Sequence, residues 1–286
     1  MSEHGDFVFY HYTPNLFAGA LFAALFGLST AWHIVQLIRT RTWSFIPLVI
    51  GGIFQVIGYI GRVQSHYDTE ALGPYIMQTL LLLVSPALFA ASIYMILGRI
   101  IALVEGGKHS LVRLTWLTKI FVAGDIFSFT LQAGGGGMMA GGSDKSMKNG
   151  ERLVLIGLFV QIIFFGFFVI ASIVFHRRIN QDPTGASISL ANSAMSFKTS
   201  WVGLLYALYA SSVAILVRSV FRTIEYIQGN SGYLLRNEIW LYLFDAVLML
   251  AVMVIFNWVH PAAVLQGRRP VRSRDDCEDN STEMMA

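Results

Sequence analysis

An all-α bundle of seven transmembrane helices is the fold class this sequence predicts, and three observations predict it. Hydrophobic residues make up 55% of the chain and charged residues only 13%, where a soluble domain carries about 25%. Seven apolar stretches are long enough to cross a hydrocarbon core about 30 Å thick, which takes roughly 20 residues in a helix. The segments between them are short and polar, so none can fold alone as a soluble domain.

The first stretch, Pro14–Gln36, follows an opening that carries Glu3 and Asp6 but no Lys or Arg. A cleavable signal peptide has a basic start, so this stretch reads as a retained span. The second, Phe45–Arg62, is the shortest. The third, Tyr75–Val104, contains Pro86, which predicts a kink and freed backbone carbonyls on the bundle side. The fourth, Leu114–Gly134, runs into Gly134–Gly137, with Gly141 and Gly142 beyond. That glycine run reads as a flexible loop, and without a following Gly-Lys-Ser/Thr it is no phosphate loop. Leu153–Phe175, Ser200–Phe221 and Asn237–Val259 complete the set, with Arg39–Ser44, Val63–Pro74, Glu105–Arg113, Gly135–Arg152, His176–Thr199 and Arg222–Arg236 as connections. Residues 1–265 therefore form one seven-helix transmembrane domain, and 266–286 a charged, aperiodic tail expected to be disordered and cytoplasmic.

Basic residues set the expected orientation. Thirteen of the twenty lie on the side of Arg39, Lys108, Arg177 and the tail, which places the amino terminus outside and the carboxyl terminus in the cytoplasm. On that topology the Asn280-Ser-Thr sequon is never exposed to the glycosylating compartment, and the tail arginines rest against an anionic leaflet. The basic residues are scattered over short loops and gather on no one face, so no nucleic-acid partner is expected. Cys277 is the only cysteine, which excludes an intrachain disulfide.

Polar residues inside spans are costly, by about 2.5–3.5 kcal/mol on insertion scales, and therefore face the bundle interior. Here they fall at helical spacing. Gln55, Tyr59 and Arg62 form one stripe, and Asp125, Ser128 and Gln132 another. Arg218, Arg222 and Glu225 share a face, as do Glu238, Tyr242 and Asp245, while Tyr75 and Gln78 open the third span on one side. Most of these lie toward the outer half, which predicts a polar, outward-opening cavity. Plainer readings stand beside this one. Arg222 and Glu225 form an ordinary interfacial ion pair, Ser128 and Gln132 tie neighbouring helices, and the Phe164–Phe168 aromatics contact lipid. Asp125 and Asp245, one or two turns inside their helices, each need a partner or a proton. His33, with Gln36 at i+3, reads as a helix–helix hydrogen-bonding group.

Catalytic patterns are lacking. The seven histidines are widely separated, with no His-Glu-x-x-His pair, and a zinc site from His33, His260 and Asp125 would need ligands at different depths. Asn237–Val259 holds no lysine for retinal, and no cysteine pair staples the outer face in the manner of many G-protein-coupled receptors. No enzyme activity, no metal and no cofactor are expected.

The chain resembles the fungal lipid-translocating exporter family, seven-helix proteins associated with resistance to aminocholesterol, sphingoid bases and related amphiphiles. The resemblance runs from Tyr12 to Pro261. It rests on Tyr12-x-Pro14-Asn15, His33, Gly58-Tyr59-x-x-Arg62, Tyr75-x-x-Gln78, Pro86 and Tyr94-x-x-Leu97-Gly98-Arg99. Further on it includes Asp125-x-x-Ser128-x-x-x-Gln132-x-Gly134-Gly135-Gly136, Gly157-x-x-x-Gln161, Arg218-x-x-Phe221-Arg222-x-x-Glu225, Gly229, Glu238 and Asp245. One departure stands out: Gln55 occupies a position where the family usually has a glutamate. The resemblance implies movement of sphingoid long-chain bases or sterol-like amphiphiles between leaflets or out of the cell, at the plasma membrane, with the lipid as the small-molecule partner. Asp125 and Asp245 would bind an ammonium headgroup, and Gln55, Gln78 and Gln132 its hydroxyls. A lipid-sensing receptor, a tetrapyrrole- or metal-binding protein and an intramembrane hydrolase remain as alternatives. Without a nucleotide-binding loop, transport would be downhill or driven by an ion.

Overall fold

The computed structural model describes residues 14–68, 72–139, 144–194, 196–228 and 232–265. Within these, all regular structure is helical, and seven helices are long and apolar enough to span a bilayer. The chain is an integral membrane protein. The tail from residue 266, Tyr12, and Gly141 and Gly142 lie outside the described residues.

α1 (Leu16–Thr40) starts where the Asn15 side chain accepts a hydrogen bond from the Ala18 amide at 3.1 Å, an N-cap that satisfies an orphan donor of the first turn. It ends at Arg41, whose φ of 50° turns the chain out of the helix. α2 (Ile46–Tyr67) begins with Pro47 in its first turn, and its Leu48 amide donates to Ser92 Oγ of α3 (Leu72–Leu103) at 2.9 Å. A neighbouring helix thus caps α2. α4 (Leu114–Met139) and α5 (Asp144–Gln181) follow. After a short α6 (Gly185–Ser193) comes α7 (Trp201–Gln228), then the single turn α8 (Tyr233–Arg236). The seventh span (Glu238–Leu265) is composite. It runs through α9 (Glu238–Leu241), a widened π turn over Tyr242–Val247, α10 (Leu248–Trp258) and α11 (Ala262–Leu265).

The helices contact in chain order, α1 with α2, α2 with α3, α3 with α4, α4 with α5, α5 with α7, α7 with α10, and α10 back to α1. α3 and α7 also touch across this ring, dividing it into a first lobe of α1, α2 and the seventh span and a second lobe of α4 and α5. Both central helices carry the core, with Phe89, Ile93, Ile96 and Ile100 of α3 and Leu204, Leu205 and Leu208 of α7 buried. Phe17, Leu28, Trp32 and Ile38 of α1 stay exposed, as lipid-facing side chains do.

Three sequence expectations need correction. The glycine run is helix. Gly134–Gly137 lie within α4, and α5 begins at Asp144. A Cβ at Gly135 would meet the Gly150 carbonyl and Val154, and one at Gly157 would meet Gln132 and the Ser128 carbonyl. These glycines let the two backbones approach closely, the role small residues play between membrane helices. α5 spans 38 residues, about 57 Å at 1.5 Å per residue, so it projects beyond the hydrocarbon core. Finally, the connection before α7 contains α6, capped by Thr184, whose Oγ1 accepts from the Ser187 amide and donates to the Val104 carbonyl at the end of α3.

Candidate functional site

The first lobe holds a network of two neighbouring ion clusters at the end of the bundle where α1 begins. Arg62 of α2 donates to Glu238 Oε1 from Nη2 at 2.7 Å and to Tyr242 Oη from Nε at 3.0 Å. Tyr242 in turn donates to Glu238 at 2.9 Å, and the Asn15 amide donates to both Glu238 oxygens at 3.0 Å. Deeper, Asp245 accepts from Arg218 Nε on one oxygen and Arg222 Nη2 on the other, each at 2.5 Å, and Arg222 also pairs with Glu225 at 2.8 Å. Three guanidiniums meet three carboxylates, so the formal charges cancel, as buried charges must.

Local sequence explains much of this assembly. Pro86 has no amide hydrogen, so the carbonyl four residues earlier, Leu82, loses its helical partner. Arg218 Nη2 donates to that carbonyl at 2.7 Å, which ties α7 to α3 and leaves the same guanidinium facing Asp245. Tyr242 and Asp245 both lie in the π turn, a feature frequent at functional sites. Nothing in the sequence signals it.

Aromatic rings wall the network. Phe26 stacks on Tyr59 with centroids 5.5 Å apart, Phe22 on Tyr242 at 5.3 Å, and Arg62 sits over the Tyr242 ring at 5.2 Å. Tyr59 is within electrostatic reach of Arg62 and Tyr242 and of Asp245 and Arg222. Its hydroxyl, both polar atoms of the Gln55 side chain and Thr30 Oγ1 have no hydrogen-bond partner among the described residues. Gln55 and Tyr59 are 0% exposed, and Arg62 and Asp245 1%. The expected outward-opening chamber is therefore filled by side chains in this structure. Open space at this end is a groove of about 670 Å³ lined by Asn15, Phe17, His66 and Glu238, at the outer edge of the network.

The second lobe holds the rest. Tyr94 of α3 donates to Asp125 Oδ2 at 2.9 Å. One and two turns along α4, Ser128 donates to the Gly157 carbonyl at 2.7 Å, and Gln132 donates to Ser128 at 2.7 Å and to Gln161 of α5 at 3.2 Å. One expected site is thus two. Gln55, Tyr59, Arg62, Arg222, Glu225, Glu238, Tyr242 and Asp245 gather in the first lobe, and Asp125, Ser128 and Gln132 in the second. Gln78 is buried on α3. The separation follows from α3 and α7 meeting between the two groups, a relation invisible to spacing within a single helix.

Asp245 also differs from expectation, because its two arginines already supply the positive charge that an ammonium headgroup would bring. Tyr94 and Gln161 lie outside the polar stripes that the spacing marks, whereas Arg218 lies within them. Helical spacing pointed to Arg218, one turn before Arg222, while for the other two only the contact across helices reveals the role. His33 ties helices as expected, bonding the Met253 carbonyl at 3.1 Å. It stacks on one neighbour, Phe45, which also stacks on His260, whereas Asp125 sits with Tyr94 in the other lobe.

A family model described as RTA1 like protein matches residues 48–268. Protoporphyrin uptake protein 1 of Saccharomyces cerevisiae is 38% identical, covering 88% of this chain and 91% of its own length. Protein RTA1 of the same yeast is 36% identical over 91% of this chain and 87% of its own. The sphingoid long-chain base transporter RSB1 is 27% identical over 89% of this chain and 74% of its own. No solved structure matches.

Proposed function

This chain belongs to the RTA1-like protein family, and from that premise we propose that it is a transporter that moves amphiphilic lipids across the bilayer, with the polar headgroup held in the first lobe. One observation carries the assignment. The Gln55 amide and Tyr59 hydroxyl are fully buried and unpartnered among the described residues, on one face of α2 beside a charge-balanced network. Each unmade buried hydrogen bond costs about 1–3 kcal/mol. A substrate hydroxyl or amine placed there makes those bonds, and its aliphatic part stays among apolar side chains or in lipid. The Tyr59 and Tyr242 rings suit a cationic amine, and Glu238 stands at the groove where such a headgroup would enter.

The substrate class in this reading is the sphingoid long-chain bases and sterol-like amphiphiles, supported by the RSB1 relative. The chain is a transporter and not an enzyme, sits in the plasma membrane and has its amino terminus outside, as the distribution of basic residues favours. The test is flux of a fluorescent sphingoid base in proteoliposomes. Gln55→Leu is expected to lower flux about tenfold, the equivalent of one hydrogen bond of 1.4 kcal/mol. The same variant is expected to raise the thermal unfolding midpoint, because an unsatisfied amide is gone. Unchanged flux in a folded Gln55→Leu protein would sink the assignment.

A tetrapyrrole is the second reading, favoured by the Protoporphyrin uptake relative and by one feature of the lobe. Flat ring stacks with interplanar angles of 8° and 10° lie in this lobe, and an aromatic macrocycle entering between the rings would stack on them. A Soret shift on adding protoporphyrin to the purified protein, reversed by sphingosine, would place both ligands in one site; no shift removes this reading.

A further inference from the structure

Asp125 is the buried carboxylate that the ion network leaves out. It is 5% exposed, Tyr94 donates to Oδ2, and Oδ1 has no partner among the described residues. The ring that bonds it lies in an aromatic cluster. Phe121, Phe165 and Phe168 pack around the Tyr94 ring at centroid distances of 5.4, 6.1 and 4.5 Å, and Gly124 abuts Phe164.

Among the described side chains of the elements packed here, no charge faces it. On α3 Arg99 is exposed, on α4 Lys119 is exposed, and on α5 Lys145, Lys148, Arg152, Arg177 and Arg178 are exposed. His176 of α5 turns to Tyr209 of α7, and Glu151 lies toward Tyr226 of the same helix. Tyr94 is the titratable side chain that touches Asp125.

A carboxylate in such a place needs a cation, because desolvating an unpaired charge costs several kcal/mol. A metal ion is a poor fit. Calcium takes six to eight oxygen ligands and magnesium keeps several waters, and among the described residues no three His, Cys, Asp or Glu side chains converge. A proton needs one oxygen and no ligand shell.

Resting on the transport reading above, we propose that Asp125 in the second lobe is a proton-binding site that couples transport to a proton gradient, separate from the headgroup site in the first lobe. Oδ1 takes a proton from water, the acid forms with Tyr94 still bonded to Oδ2, and the proton returns to water when the lobe changes shape. No bond other than O–H forms or breaks. Ser128 and Gln132 continue the polar face from Asp125 along α4, and Gln132 reaches Gln161 of α5.

Two measurements on the full-length protein test this and keep the two readings apart. Infrared difference spectra across a pH titration, with no substrate present, are expected to show the C=O stretch of a protonated carboxyl that Asp125→Asn removes. Tyr94→Phe retains the band and displaces its pH midpoint. Absence of an Asp125-dependent band overturns the proton site whatever the transport result. In proteoliposomes, a pH gradient is expected to drive sphingosine accumulation at least threefold in the wild type, and not in Asp125→Asn, which still equilibrates substrate downhill. Gradient-driven accumulation that survives in Asp125→Asn overturns the coupling, and loss of substrate binding in this variant at every pH overturns it in favour of a headgroup contact. Absence of any wild-type flux overturns the transport reading and the coupling together, leaving the infrared band to decide protonation.

Discussion

Asp245 and Asp125 are the same side chain buried in the same bundle, and the two lobes treat them in opposite ways. In the first lobe Asp245 is gripped by two guanidiniums, one of them anchored to the carbonyl that Pro86 frees on α3. In the second lobe Asp125 meets one neutral phenol, whose ring packs among phenylalanines. The first arrangement fixes charge by pairing, and its helices are held by groups that fail if any member is lost. The second holds α4 and α5 together through glycines, and its carboxylate is tied to α3 by a single hydrogen bond, from Tyr94. A carboxyl held by one donated hydrogen bond keeps that bond in its acid form, so it can change protonation state without unfolding its surroundings.

That contrast is open to breaking by substitution. The largest effect is expected from Asp245→Asn, which leaves Arg218 buried without a counter-charge; removing one partner of a buried pair costs about 3–5 kcal/mol. Thermal unfolding in mild detergent should show a marked drop in midpoint, and Arg218→Leu combined with Asp245→Leu should recover part of it. A smaller loss is expected from Gly157→Ala. Its new methyl meets Gln132 Cγ at 2.7 Å and the Ser128 carbonyl at 2.8 Å, and overpacking costs about 1–3 kcal/mol. The same melting experiment reads it, and a wild-type midpoint would mean that α4 and α5 separate easily. The smallest effect belongs to Asp125→Asn, about 1 kcal/mol or less, because no ion pair is lost and the amide oxygen still accepts from Tyr94. Were Asp125→Asn to destabilise as much as Asp245→Asn, the distinction between the lobes would fail.

Much of this was legible in the residues. Apolar length marked all seven spans, and spacing put Gln55, Tyr59 and Arg62 on one face and Glu238, Tyr242 and Asp245 on another. Pro86 announced a free carbonyl. Other features were misread for a definite reason. Gly134–Gly137 looks like a loop because glycine weakens isolated helices, yet at Gly135 the lack of a side chain is what permits the close approach of α5. α6 and its Thr184 cap lie in a connection that the sequence marks only as short and polar. Tyr94 and Gln161 carry no mark within their own helices that distinguishes them from packing residues.

By itself the sequence determined that the chain lives in a membrane, how many times it crosses and which face of each helix turns inward, since these follow from the cost of exposing polar groups to hydrocarbon and from the helical repeat. Tertiary structure alone decided which inward faces meet. Partner choice depends on the order of helices around the ring and on α3 and α7 closing across it, and it is that choice which made Asp245 a tie and left Asp125 unpaired.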